Sequence, residues 1–505
     1  MLRNTLLVTI CLILSAVLGF IAQIVFASTF GASAEMDIYF KILSIPAIVT
    51  GISAIIFSSV LIPTFAKFKS KQTELNKFIH SVWICILVFG IFFILIGFTI
   101  SALNIGFFIS ENSDYLRYLG IQVSLMIWIG SGFAIISSYL SAILNYEKQF
   151  FRVSLTSILP AFFMIAFVLL FHNELGVRSI SLGFCVGFII QFIILYKASK
   201  ISLIPPLFSI KQMPYKRLLL KQTFLVTLSL LPFTILAPIA YFWASKLEIG
   251  SISYLGYSQS FAGFLSVAVS MGISIVALPD LSDKFANNKV ESSLYQFEQS
   301  LRYVFLIAIF AAGAIITLRI PLLTLFYQRG SFNAESVINL SNLVPWYLIA
   351  AIFISGLNLL RILFYSKGEF KNIAKLGLIV PIIFFVLAGV LKEKFSFVGI
   401  GIAYAIASAF LFFMTMRLAK KEELKFLSND FLIFMLKNII SALIAGLLST
   451  FSLLLISDLY LEIISIFVGM FVFLVGYICS SKFVFKLKEI EYIQMMLLSK
   501  FKKRT

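Results

Sequence analysis

Charged residues are scarce in this chain. Asp, Glu, Lys and Arg make up 12% of its 505 residues, whereas 61% are hydrophobic, and the mean hydropathy is +1.04. A soluble domain keeps roughly a quarter of its residues charged, because its surface must be hydrated. The composition therefore excludes an ordinary water-soluble protein and indicates that lipid is the main solvent of the fold.

Side chains that carry covalent chemistry or bind metals are also few. The two histidines, His80 and His172, have no partners at metal-ligand spacing, and the four cysteines lie far apart, without a CxxC pair or a disulfide framework. No GxxxxGK[ST] loop, paired carboxylates or Ser/His/Asp group occurs on the apolar segments. We therefore predict that the chain is not an enzyme, needs no cofactor and binds no metal.

Long hydrophobic runs fill most of the chain. The first, Thr5 to Ser28, precedes Ala32-Ser33-Ala34 and imitates a signal peptide, but its length of about 24 residues suffices to span a bilayer, so we interpret it as a retained helix. Such runs must be helical in lipid, because unpaired backbone groups there cost several kcal/mol each. The sequence predicts about fourteen spans, near 5–28, 37–64, 78–104, 115–144, 153–172, 177–197, 218–245, 252–279, 298–326, 341–366, 372–391, 396–417, 433–456 and 459–482.

The basic residues predict which way the spans run. If the N-terminus is cytoplasmic, about 29 of the 40 Lys and Arg residues fall on the inside and seven fall in outside links. The positive-inside rule therefore predicts cytoplasmic N- and C-termini, and it explains the net charge of +18 without a nucleic-acid surface. The seven outside residues are Arg117, Arg178, Lys246, Arg319, Arg329, Lys392 and Lys394.

Two pairs of segments indicate an internal repeat of six spans. Ile62–Phe68 ends span two and Leu278–Phe285 ends span eight, with their prolines 216 residues apart. Leu144–Arg152 follows span four and Leu363–Lys371 follows span ten, with their tyrosines 219 residues apart. Because six is even, both copies would enter the membrane from the same side, with a cavity between them near the midplane.

The repeat predicts the fold class and the domain boundaries. We expect an all-α polytopic membrane protein of about 14 transmembrane helices, with two parallel six-helix repeats plus two C-terminal helices. The predicted parts are an N-terminal lobe at 1–199, a cytoplasmic linker at 200–217, a C-terminal lobe at 218–425, two extra helices at 426–484 and a basic cytoplasmic tail at 485–505.

A few polar side chains lie within or at the edge of the spans. Asp37 and Lys41 share one face of span two, where they either form an interfacial salt bridge or contact a polar headgroup. Gln23 and Gln259 either hydrogen-bond to neighbouring helices or line a cavity. By contrast, Lys221, Arg302 and Arg361 lie about one turn inside inner helix ends, where we expect them to snorkel towards water.

Short motifs recur in a fixed order through both halves of the chain. They are Leu18-Gly19-Phe20, Phe30-Gly31-Ala32 with Asp37, Ile62-Pro63, the segment from Ser251 to Pro279, and the segment from Phe326 to Phe332. In the order and spacing of these motifs the chain resembles the MurJ/MviN-like lipid flippases of the multidrug/oligosaccharidyl-lipid/polysaccharide (MOP) exporter superfamily. The resemblance implies a V-shaped pair of lobes that open alternately inward and outward.

The chain departs from this family at its cavity cations. Members carry arginines in spans one, two and eight that contact a pyrophosphate, and the aligned positions here are uncharged. A pyrophosphate in a low-dielectric cavity needs cationic partners, so either Lys41 and rim residues supply them or the cargo differs. The aligned positions are Ala22, Val49 or Thr50, Ser260 and, for a span-two glutamate, Ala54.

The resemblance implies a flippase that moves a polyprenyl-pyrophosphate-linked saccharide to the outer leaflet of the bacterial inner membrane. The missing arginines favour a repeat unit of a surface polysaccharide over the peptidoglycan precursor lipid II. A cation-coupled multidrug exporter and a non-transporting envelope component stay open as alternatives. Glycosyltransferases or polymerases are the predicted protein partners. The predicted headgroup site comprises Asp37, Lys41, Gln23, Gln259 and Ser260.

Overall fold

Helices form nearly all of the part of the chain that the structure describes, and no β-strand occurs in that part. This is the result expected when lipid offers no hydrogen-bond partners to the backbone, because a helix satisfies its own N–H and C=O groups. The computed structural model describes residues 2–68, 72–102, 113–201, 216–263, 290–367, 370–421, 429–456, 462–487 and 489–490.

The helices of the described residues follow one another along the chain as α1 to α17. They are α1 Leu2–Phe30, α2 Ala34–Ile56, α3 Ile62–Lys67, α4 Gln72–Ala102, α5 Asp114–Tyr146, α6 Phe150–Thr156, α7 Leu159–Leu175, α8 Arg178–Ser199, α9 Lys216–Thr234, α10 Leu236–Ala244, α11 251–263, α12 Val290–Thr317, α13 Arg319–Tyr327, α14 Ala334–Lys367, α15 Phe370–Lys421, α16 Asn429–Ile456 and α17 Glu462–Cys479.

Twelve segments of the described chain are long and apolar enough to cross a membrane, against about fourteen predicted spans. The difference has two sources. Spans eleven and twelve count as one segment, Leu378–Ala419, although Ser396 interrupts α15 with a left-handed φ of 52°. Span eight is described only over 251–263. The prediction of an all-α polytopic membrane protein is confirmed.

The second span is not a uniform helix. α2 contains Pro46, and a π-helical turn, Phe57–Leu61, connects it to α3, which has Pro63 in its first turn. A π turn accommodates an extra residue and loosens the regular backbone ladder locally. Span two is therefore divided into a long helix, α2, and a short helix, α3.

Several sequence predictions lie wholly or partly outside the described residues. Among the repeat segments, Ile62–Phe68 and Leu144–Arg152 are described, but 278–285 is not, and the second copy of the other pair is interrupted at 368–369. Most of the linker, 202–215, and most of the tail, 491–505, are also outside. The repeat and the domain boundaries at 199, 218, 425 and 484 stay predictions.

The first of two compact units comprises Met1–Tyr257, Arg329–Phe332 and Ile373–Lys392. At its centre α5 packs against α2, α4 and α8. Tyr139 is fully buried there, and its hydroxyl donates to the Ile79 carbonyl oxygen at 2.7 Å. Such buried polar pairs join neighbouring helices where there is no water to compete.

The second unit comprises Ser258–Gln328, Asn333–Asn372 and Glu393–Thr505. Within it Arg302 of α12 forms ion pairs of 2.9 Å with both Glu298 and Glu489. Snorkelling is thus not the explanation for this arginine, because two carboxylates satisfy its charge inside the protein. Asn438 of α16 likewise donates to the Phe305 carbonyl oxygen and accepts from the Tyr477 hydroxyl, which ties α12, α16 and α17 together.

Candidate functional site

The candidate site begins at the N-terminus of α2. Ser33 caps this helix, since its side-chain oxygen accepts a hydrogen bond from the Met36 backbone N–H at 3.3 Å. Glu35 and Asp37 lie in the first turn, where the helix dipole favours negative charge. Local sequence therefore explains why the helix begins here, directly after the Gly31 turn.

Asp37 binds the N-terminus of another helix far along the chain. Its side chain is 7% exposed. Oδ2 accepts the Gly250 backbone N–H at 2.7 Å, and Oδ1 accepts both the backbone N–H of Ser253 at 2.7 Å and its hydroxyl at 2.5 Å. These donors lie at the N-terminus of α11, at Gly250 directly before the helix and at Ser253 in its first turn, so the carboxylate acts as a cap supplied from outside the helix. Three charge-assisted hydrogen bonds therefore link α2 to α11.

Three loops meet around this carboxylate, and we call residues 28–33, 250–253 and 329–332 the loop junction. The Ser331 backbone N–H donates to the Ser28 carbonyl oxygen at 2.8 Å, and its hydroxyl donates to the Thr29 carbonyl oxygen at 2.9 Å. All of these residues belong to the first unit. The junction thus binds the α1–α2 loop to the loops before α11 and before α14.

Two glycines allow the loops of the junction to approach this closely. Gly250 has φ +91°, and a Cβ there would lie 2.7 Å from the Ala32 carbonyl oxygen. Gly330 has φ +54°, and its Cβ would overlap the Ser28 carbonyl oxygen. Both positions combine a left-handed backbone with backbone-to-backbone contact, so any other residue is strained for two independent reasons.

Aromatic side chains pack beneath the junction. Tyr257 of α11 is fully buried, its hydroxyl donates to the Gly31 carbonyl oxygen at 2.9 Å, and its ring meets Phe40 and Phe332 edge to face at 5.2 and 5.8 Å. Edge-to-face pairs add about 0.5–1.5 kcal/mol each beyond their buried area. The aromatic contacts and the hydrogen bonds therefore stabilise the same loop junction.

Lys41 lies one helical turn after Asp37 on the same face of α2 and is also 7% exposed. Burying a lysine ammonium costs free energy unless an anionic partner or ligand compensates its charge. The interfacial salt bridge and the headgroup contact that the sequence left open for this pair remain alternatives for Lys41, whereas the Asp37 carboxylate already accepts three hydrogen bonds.

The other predicted site residues are placed as follows. Gln23 of α1 belongs to the first unit, and its buried Oε1 accepts no hydrogen bond from any described residue, so interhelical hydrogen bonding and a position lining a cavity both stay predictions for this side chain. Gln259 and Ser260 of α11 belong to the second unit and are partly exposed. The structure therefore joins Asp37 to residues 250–253, and a headgroup site made of all five residues stays a prediction.

Sequence reasoning missed the partners of Asp37. It singled out the segments that begin at Ser251 and end at Phe332 without recognising that they meet around this carboxylate. The available signal was a glycine in each loop, at positions 31, 250 and 330. Among the described residues no cluster of His, Cys, Asp and Glu could hold a metal ion.

Comparison with known proteins gives a consistent result. The family model described as "Lipid II flippase MurJ" matches residues 26–472. A "Probable lipid II flippase MurJ" of Buchnera aphidicola subsp. Baizongia pistaciae is 26% identical over 462 residues, which cover 88% of each protein. Another of the same name, from Aquifex aeolicus, is 27% identical over 386 residues, which cover 74% of this chain and 73% of the relative.

Solved structures share the fold. "Lipid II flippase MurJ, inward closed conformation" superposes with a TM-score of 0.76 at 22% identity, covering 93% of this chain and 98% of the other. The MATE multidrug transporter DinF-BH superposes with a TM-score of 0.60 at 18% identity, covering 84% and 96%. The resemblance to the MurJ family inferred from the motifs is confirmed. Because the family model covers most of the sequence, this chain belongs to the MurJ lipid II flippase family.

Proposed function

We propose that this protein moves lipid II from the inner to the outer leaflet of the bacterial inner membrane by alternating access. The observation that carries the proposal is the family match over residues 26–472, supported by curated relatives that bear the name of lipid II flippase. As a member of this family the chain is a multi-pass membrane transporter and not an enzyme, as predicted. A surface-polysaccharide repeat unit, which the missing arginines favoured, becomes the second candidate cargo.

The loop junction suggests how one side of the transporter is closed. Topology prediction places it at the outer membrane surface, where α1, α2, α10, α11, α13 and α14 begin or end. Each hydrogen bond to a charged group contributes about 1.5–3 kcal/mol, so the three bonds of Asp37 form a substantial part of the closure. We infer that opening to the outside requires Asp37 to release the first turn of α11.

Lys41 is the residue that we propose for pyrophosphate recognition. At the positions where the family has cavity arginines, Ala22 is only 1% exposed and Val49 and Thr50 are partly exposed, and none of them is charged. A buried ammonium on the same helix face as Asp37 is the nearest replacement in the described part of α2. Attraction to a phosphate would offset the free energy of desolvating the Lys41 ammonium, because opposite charges attract strongly in a low-dielectric site.

The cargo can be identified by depleting the protein in its host. We expect lipid II to accumulate in the inner leaflet, protected from externally added reagents, since the translocation step would be missing. Extracted lipid-linked saccharides are identified by mass spectrometry. Accumulation of a different polyprenyl-linked repeat unit, with normal lipid II, would assign the protein to surface-polysaccharide export. No change in either lipid would favour the multidrug exporter or the non-transporting component.

Replacing Lys41 tests the cation. We expect Lys41→Ala to abolish or strongly reduce complementation of a depleted strain, because the pyrophosphate would lose its buried cation. Lys221→Ala is the matched control, since Lys221 is exposed on α9 and its loss should be mild. Full complementation by a well-expressed Lys41→Ala protein would remove Lys41 from the site.

The proposed orientation can be checked by labelling. Single cysteines in the turn 145–152 and at the α14–α15 connection should both react only from the cytoplasm, as should cysteines near both termini. Labelling of the two turns from opposite sides of the membrane would exclude parallel repeats. Glycosyltransferases or polymerases as partners remain part of the proposal, and co-purification with the tagged protein would test them.

A further inference from the structure

An apolar groove lies in the first unit, separate from the loop junction. It has a volume of about 440 Å³, within the range of roughly 300–1,000 Å³ typical of ligand pockets. Hydrophobic side chains of α2, of the α9–α10 region and of α15 line it. The lining residues are Ile45, Ile48, Ile235, Pro238, Ile239, Phe242 and Phe385.

The groove opens towards lipid. Phe385 is 41% exposed, and Ile382 and Val386, which lie on the same face of α15, are 65% and 56% exposed. In a membrane-spanning helix such exposed apolar side chains face hydrocarbon. A chain from the bilayer can therefore enter the groove without crossing a polar surface.

Two lysines flank one end of the groove. Lys246 Nζ lies 4.5 Å from the ring centre of Phe242 and 4.7 Å from that of Trp243, and Lys392 Nζ lies 5.2 Å from that of Trp243. The Trp243 indole N–H donates to the Phe385 carbonyl oxygen at 3.0 Å, which fixes the indole ring that both lysines approach. Phe242 and Phe385 belong to both the groove and this aromatic group, so the charged end and the apolar groove are continuous.

We propose that this site binds an anionic phospholipid of the outer leaflet, with its phosphate at Lys246 and Lys392 and one acyl chain in the groove. The groove follows the chain from Phe242 to Ile235, about 10 Å along a helix. Trp and Lys at the end of a span are typical of the membrane–water interface, where a headgroup phosphate lies. The bound lipid fills the space between α2, α10 and α15, and its binding does not depend on the transported cargo.

Quenching of Trp243 fluorescence tests the site on the full chain reconstituted in phosphatidylcholine vesicles. Phosphatidylglycerol or phosphatidylcholine with brominated acyl chains is added at equal mole fraction, and the signal of a Trp243→Phe protein is subtracted to isolate this indole from the other three tryptophans. Each lysine near an anionic lipid contributes about 1 kcal/mol, so two should favour phosphatidylglycerol by about 10- to 30-fold in relative association constant.

The double variant Lys246→Gln/Lys392→Gln should lose this preference. The control Lys221→Gln/Lys394→Gln removes the same charge from two other exposed lysines and should retain it. Circular dichroism and size-exclusion chromatography verify that each variant is folded. Equal quenching by the two lipids, or an unchanged preference in the Lys246/Lys392 variant, would overturn the proposal. Displacement by undecaprenyl pyrophosphate, but not by unbrominated phosphatidylglycerol, would instead assign the groove to the transported lipid.

Discussion

Asp37→Ala is expected to abolish complementation of a flippase-depleted strain and to lower the thermal stability of the purified protein. The substitution leaves the Gly250 N–H and the Ser253 N–H and hydroxyl without their acceptor in a buried position. A buried donor without a partner costs about 1–3 kcal/mol, so the loss of three acceptor contacts should destabilise the protein by at least about 3 kcal/mol. Growth, lipid II accumulation and melting temperature in detergent are the measurements.

Glu35→Ala is the matched control for this carboxylate. Glu35 lies in the same first turn of α2 but is partly exposed, and its contact is one hydrogen bond from the Tyr115 hydroxyl at 2.8 Å. Its loss should cost less than about 1 kcal/mol, as for other exposed polar contacts. If Asp37→Ala melted and complemented like Glu35→Ala, the carboxylate would not be what holds α2 to α11.

Gly330→Ala should produce the second large effect. The added methyl group would overlap the Ser28 carbonyl oxygen, and the left-handed backbone at this position costs alanine roughly 1–2 kcal/mol in addition. The Ser331 N–H to Ser28 bond must then break or the loop must shift. We expect loss of complementation and a lower melting temperature, with the loop junction as the first region to gain hydrogen exchange.

A glycine inside a helix provides the comparison. At Gly51 of α2 an added methyl group would meet no described atom within 4 Å, and the φ of this residue is not in the left-handed region. Gly51→Ala should therefore be tolerated and should stabilise the helix by up to about 1 kcal/mol. Equal damage from both substitutions would indicate a general intolerance of alanine and not a requirement for close approach at the junction.

Much of this fold could be predicted from the sequence, because it depends on local properties. A run of about 20 apolar residues must be a helix in lipid, so the spans could be located to within a few residues. The sequence also predicts a break between spans eleven and twelve, at 392–395, directly before the interruption of α15 at Ser396. The π turn at Phe57–Leu61 was not, because it depends on packing that leaves no local signature.

The site was less predictable, since its contacts join distant parts of the chain. Asp37 stood out as a carboxylate at a membrane edge, but its partners Gly250 and Ser253 are more than 200 residues away. Sequence spacing within α2 indicates that Asp37 and Lys41 share a helix face, but it gives no information about the contact between Asp37 and the N-terminus of α11. Arg302 shows the same limit, because Glu489 reaches it from beyond the last span.

The π turn in span two determines where this span can bend. A helix bends most readily where its regular hydrogen-bond ladder is already disturbed. α2 carries Asp37 in its first turn and meets the π turn at its C-terminal end, and Phe65 of α3 packs against Phe78 of α4 with ring centres 6.0 Å apart. If Asp37 releases α11, α2 can therefore rotate about the π turn while α3 keeps its packing against α4.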